Sequence, residues 1–222
     1  MELIFPGLLS IALLLLTSIF LLISKDWRLS LLALAMQYIP VFLLVSQLWP
    51  VQMALVKVIA GWISCLLLGI GAVNLPGNNL RIRIPFRKRD KPGIEFHSDS
   101  NTARLSRTKA PLGNYFTFFA AGTVFLAAVA IAFRISSTTG EAYIYPVLGG
   151  ITLIGMGLLQ IGFTDEPLYI SIGLLTITAG FEIIYALIDS SILVAGLLAG
   201  ANLGIAVIGT YLLAAPQMED QI

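Results

Sequence analysis

Seven stretches of mostly apolar residues follow one another along the chain, near 5–24, 29–48, 51–73, 114–135, 144–163, 168–188 and 190–214. Each is close to the 20 or so residues whose helical rise of about 30 Å matches the hydrocarbon core of a bilayer. The breaks between them are short and polar or turn-forming: "KDWR", "LWP", "SSTTGE", "TDEP" and "DSS". The tightest, "LWP", suits a helical hairpin. Composition agrees, since only 11% of residues are charged, against about 25% in soluble domains. That is too few to cover the surface of a soluble fold of 222 residues. The expectation is an all-α, polytopic membrane helix bundle with about seven transmembrane helices.

The first apolar run, "FPGLLSIALLLLTSIFLLIS", is longer than a signal-peptide core and has neither a basic leader nor a small-residue cleavage site. It is expected to be a retained first span. One large interruption, residues 74–113, divides the chain into an N-terminal three-helix membrane segment (1–73), a basic loop and a C-terminal four-helix membrane segment (114–222). Within the loop, "LRIRIPF" alternates apolar residues with Arg, the pattern of a short strand or an interfacial segment.

Nine of the 13 Lys and Arg lie in this loop: Arg81, Arg83, Arg87, Lys88, Arg89, Lys91, Arg104, Arg107 and Lys109. By the positive-inside rule the loop and "KDWR" are cytoplasmic, with the N-terminus outside and the C-terminus inside. The expected location is the inner (cytoplasmic) membrane of the cell. Trp27, Trp49, Tyr143, Tyr145 and Tyr185 then fall near the two interfaces, and Arg134 serves as an outer-interface anchor. The basic loop is expected to contact anionic lipids and to offer a docking surface for a peripheral cytoplasmic subunit. Nucleic acid is not an expected partner.

Signs of catalysis are missing. The only histidine, His97, lies in the polar loop, and the only cysteine, Cys65, lies in an apolar run. Neither a haem ligand pair nor a metal site is expected, and no cofactor is. "GLLAGANLG", with small residues four apart inside a span, suggests close helix packing.

Ionisable residues within spans are costly and mark candidate sites. Two stand out, Lys57 in "MALVKVIAGW" and Glu182 in "TAGFEIIYAL". In the expected orientation each lies about six residues, or roughly 9 Å, inside the outer end of its span. Opposite charges at one depth can pair, each relieving the other's desolvation. The alternatives are that both snorkel to the interface, that they form a structural ion pair, or that they serve a proton path. Gln37, Gln160, Thr176, Thr178 and Asn202 are possible relay points, or otherwise interhelical hydrogen-bonding groups.

The last three spans resemble the K subunit of respiratory complex I and the C subunit of Mrp-type cation antiporters. The resemblance rests on the turn "TDEP", on "ISIGLLTITAGFE", and on "DSSILVAGLLAGANLGIAVIGTYLLA" with Asp189 and Gly204. The first half is similar to component E of hydrogenase-4 through "LTSIFLLISKDWRLSLLALAMQYIPVFLLVS" and "ALVKVIAGWISCLLLG", in which Lys57 falls on a lysine of the family pattern. The resemblance implies a membrane subunit of a respiratory, hydrogenase or antiporter-type complex, packed beside antiporter-like subunits. Such a subunit is structural or contributes to proton or sodium translocation, and has no catalytic centre of its own. The chain departs from the pattern at two glutamates of the family's proton path, where Leu175 and the neighbourhood of Gly200 stand instead; Glu182 comes two turns after Leu175. A self-sufficient small transporter or channel is the alternative class, and a scaffold subunit of another respiratory or photosynthetic assembly is a third.

Overall fold

A computed structural model of the chain describes residues 4–24, 26–73, 112–140 and 143–219. All seven of its helices correspond to the apolar stretches of the sequence: α1 (Ile4–Ile23), α2 (Trp27–Val45), α3 (Val51–Val73), α4 (Leu112–Thr139), α5 (Ile144–Phe163), α6 (Pro167–Ala186) and α7 (Ile192–Glu219). Helices α2 to α7 each contain a segment long and apolar enough to cross a membrane; α1 adds a shorter apolar helix over Gly7–Ile23. There is no strand among the described residues. The chain is thus an all-α, multi-pass membrane bundle. The "LRIRIPF" segment and the nine basic residues from Arg81 to Lys109 lie outside the described residues.

Local sequence explains where the helices stop. Pro167 opens α6 in the first turn, where its missing N–H costs nothing. Thr164 before it is extended, and its hydroxyl accepts the Glu166 N–H at 3.2 Å. The "LWP" break is a single tight turn, with the Leu48 and Trp49 N–H groups donating to Val45 O before α3 begins at Val51. α4 and α7 run past their apolar stretches, to Thr139 and Glu219.

The helices close into a ring in the order α1, α2, α3, α7, α6, α5 and back to α1, with α2 touching α6 across the middle and α4 applied outside α5. The N-terminal and C-terminal membrane segments therefore interleave, since α3 packs on α7, α1 on α5 and α2 on α6. Buried leucines and isoleucines fill the centre, among them Leu14, Leu34, Leu68, Leu153, Ile172, Leu175 and Ile183.

The closest helix approach is α5 on α6, and glycine makes it. A Cβ on Gly180 would lie 2.6 Å from Gly150 O, and one on Gly157 would lie 2.7 Å from Gly173 O. The contact is reciprocal, with 3.0 Å from Gly150 to Gly180 O and 3.1 Å from Gly173 to Gly157 O. Both pairs recur after seven residues, two turns on each antiparallel helix. Lipid tails are as apolar as leucine, so association inside a membrane depends on this sort of backbone-to-backbone packing.

"GLLAGANLG" does not pack in this way within the chain. Cβ atoms on Gly196, Gly200 and Gly204 would meet nothing within 4 Å, because that side of α7 faces outward. The glycines that bring backbone against backbone are those of α5 and α6 instead, while on α7 it is Gly209, outside that stretch, that packs tightly, against Ser171 and Leu68. Trp49 also departs from expectation. It is 3% exposed and belongs to the core, not to an interface belt.

Candidate functional site: a buried charge pair

Lys57 on α3 and Glu182 on α6 come together in the bundle. Lys57 Nζ lies 3.0 Å from Glu182 Oε1, and both residues are 1% exposed. Lys57 is six residues into α3 and Glu182 four residues from the end of α6, depths of about 9 and 6 Å from the same side of the bundle at the helical rise. An ammonium or a carboxylate alone would be strongly disfavoured at such a site, and pairing offsets much of the desolvation.

A third helix completes the cluster. Asn202 on α7, fully buried, donates from Nδ2 to the same Glu182 oxygen at 2.9 Å. Oε1 thus receives both the ammonium and the amide. Glu182 Oε2 and Asn202 Oδ1 are buried with no hydrogen-bond partner among the described residues. The Lys57–Glu182 contact is an ion pair at hydrogen-bond distance.

Two aromatic residues wall the cluster. The Trp49 ring centroid is 6.0 Å from Lys57 Nζ, at the outer limit of a cation–π contact. Its indole Nε1 donates to Asp189 O at 3.1 Å, tying the α2–α3 turn to the α6–α7 turn. Tyr38 on α2 is buried, and its hydroxyl has no hydrogen-bond partner among the described residues. Its ring lies across Gly61, where a Cβ would come within 2.5 Å of the ring carbons. The lysine and the aromatic wall thus come from α2 and α3, the acid and amide from α6 and α7.

The remaining candidates lie elsewhere. Gln37 donates to Ser18 Oγ at 3.1 Å, joining α2 to α1. With Tyr38 and Thr176 it lines a crevice between α2 and α6 too narrow to hold a water molecule. Thr176 and Thr178 both donate to carbonyls of their own helix, Ile172 O at 2.9 Å and Leu174 O at 2.6 Å. Gln160, 5% exposed, lines a separate cavity of about 330 Å³ with Ser24, Thr164, Glu166 and Tyr169, at the opposite end of the bundle from the charge pair. At the two positions where glutamates were expected, Leu175 is fully buried in the core, and Gly200 is exposed on the outer side of α7.

Asn202 was a sequence candidate, but nothing in its spacing linked it to Glu182. Tyr38 escaped notice, although a tyrosine eleven residues into an apolar helix carries a hydroxyl that must find a partner or stay unsatisfied. No group of three or more His, Cys, Asp or Glu that could hold a metal ion occurs among the described residues. No protein-family model, curated protein or solved structure matches the chain.

Proposed function

We propose that this chain is a non-catalytic membrane subunit of a larger ion-translocating assembly, and that Lys57 and Glu182 form its charged element. The observation that carries the reading is the neutralised, buried Lys57–Glu182–Asn202 cluster, which joins three helices and leaves Glu182 Oε2 without a partner among the described residues. Transfer of the Lys57 proton to Glu182 would neutralise both groups together, so the pair can carry that proton on either partner without leaving an isolated buried charge. Intramembrane ionisable groups in such settings serve ion paths or lock helices together. The resemblance to complex I, hydrogenase-4 and Mrp subunits supports the assembly, with redox chemistry assigned to other chains. Large apolar faces on α4 and α7, including Phe116, Phe119, Leu126, Leu197 and Tyr211, are exposed and suit lipid or neighbouring membrane subunits.

In this reading all seven helices span the inner membrane. The N-terminus is outside, and Arg28 and the 74–113 segment are cytoplasmic, as the positive-inside rule requires. The charge cluster then lies in the outer half of the membrane and the Gln160 cavity near the cytoplasmic side. The nine basic residues would hold anionic lipid and a peripheral subunit.

The test has two parts. Purification from native membranes in mild detergent is expected to recover large antiporter-like partners; a stable homo-oligomer without them would overturn the assembly. Within the assembly, Glu182→Gln is expected to impair ion translocation while partners are retained, and Glu182→Ala to impair both. Wild-type translocation and assembly in both variants would remove the charged element from the mechanism.

A further inference from the structure

A groove of about 640 Å³ lies on the outer surface of the bundle between the N-terminal half of α2 and the C-terminal half of α3. Trp27, Leu31, Leu32 and Ala35 line one wall and Trp62, Cys65, Leu66, Gly69, Ile70 and Val73 the other. The apex is closed by Trp62, whose indole Nε1 donates to Ala35 O at 3.1 Å. From Trp62 to Val73 the wall runs about 16 Å at the helical rise, close to half of a hydrocarbon core of about 30 Å. The groove is therefore one leaflet deep. Its lining is apolar, with almost no polar surface.

At the open end the chemistry changes. Arg28 is exposed, and its guanidinium carbon lies 5.1 Å from the Trp27 ring centroid, so the charge is held at the rim of the groove. Val73 is at the foot of the other wall, and the basic run of the sequence begins eight residues later, at Arg81. Tryptophan and arginine at a helix end are the residues that meet lipid headgroups, and basic sites between transmembrane helices on the cytoplasmic side bind anionic ones.

We infer that the α2–α3 groove is a site for a phospholipid with an anionic headgroup, one acyl chain lying between Leu31 and Leu66 and the phosphate at Arg28. The site rests on the proposed orientation of the helices in the membrane; it does not depend on the role of Lys57 and Glu182. The groove differs from the exposed apolar face of α7, a helix that carries no Lys or Arg. That face acts as an internal control for ordinary lipid contact.

The full chain, reconstituted in vesicles, would be photolabelled with phosphatidylglycerol or phosphatidylcholine carrying a diazirine on one acyl chain, and the adducts mapped by peptide mass spectrometry. Phosphatidylglycerol is expected to label Leu31–Ala35 and Trp62–Val73 about fivefold more than phosphatidylcholine, the ratio that about 1 kcal/mol per basic residue provides. The α7 face should show no such preference. Arg28→Gln should erase the headgroup preference, and Leu66→Trp, which fills the groove and keeps Arg28, should suppress labelling there. Equal labelling by both lipids, the same preference on α7, or a groove that stays unlabelled because a protein occupies it would each overturn the site.

Discussion

Lys57 and Glu182, 125 positions apart in the sequence, meet at 3.0 Å inside the bundle. The contact joins the N-terminal three helices to the C-terminal four at a point from which both side chains are shut off from the surface. Removing either partner would leave the other charge buried and unpaired. The cost of the contact, and so its hold on the fold, is set by that asymmetry.

Asn202 shares the Glu182 oxygen that faces Lys57, at 2.9 Å. A hydrogen bond to a charged group contributes about 1.5–3 kcal/mol. Asn202→Ala is expected to lower thermal stability in detergent by an amount in that range. In a Glu182→Gln background it should cost clearly less, and equal costs in both backgrounds would mean that the amide does not act through the carboxylate.

The α5–α6 glycines predict a sharp positional contrast. Gly157→Ala and Gly180→Ala each drive a Cβ into the facing carbonyl, at 2.7 and 2.6 Å, and should destabilise the protein by about 1–3 kcal/mol through forced helix separation. Gly200→Ala meets open space and should be neutral, or stabilising by up to about 1 kcal/mol from helix propensity. Melting temperatures of the three variants check the contrast.

Trp49 predicts a separation of its two roles. Trp49→Phe keeps the ring and loses only the hydrogen bond to Asp189 O, worth about 0.5–1.5 kcal/mol. Trp49→Ala also opens a cavity in the core and should cost about 3–5 kcal/mol. Equal losses would show that the indole N–H, not the packed ring, holds the two turns together.

Cys65 reports on the bundle in its membrane. As the single cysteine, 7% exposed, it should resist a charged, membrane-impermeant maleimide in intact vesicles and react once the protein is denatured in detergent. A cysteine introduced by Arg28→Cys in a Cys65→Ala chain should react only in vesicles that expose the cytoplasmic side. Reaction from the opposite side alone would invert the orientation.

Much of the fold was legible because hydrophobic span length and polar breaks are local signals. "TDEP" and "DSS" mark the ends of α6, and "LWP" marks the turn before α3. The pairing of Lys57 with Glu182 was accessible from depth alone, since each residue's distance from its helix end can be counted. What could not be counted was azimuth. In nearly all-apolar helices the polar face that reveals the buried side of a soluble helix is missing, so inward and outward glycines look alike. The stripe at Gly196, Gly200 and Gly204 attracted notice yet faces outward, while Gly150, Gly157, Gly173 and Gly180 make the close contact. Their signal was a seven-residue spacing repeated in two consecutive spans. Trp49 was misplaced for a related reason, because a tryptophan near a span end is ambiguous between an interface anchor and a core lid.

The most direct test of the account is a double-mutant cycle on Lys57→Met and Glu182→Gln, read as unfolding free energy in detergent. Each single substitution is predicted to cost about 3–5 kcal/mol by stranding the remaining group, and the double variant to recover much of that loss. Single costs that simply add in the double variant would contradict the charge pair as the element that joins the two halves of the bundle.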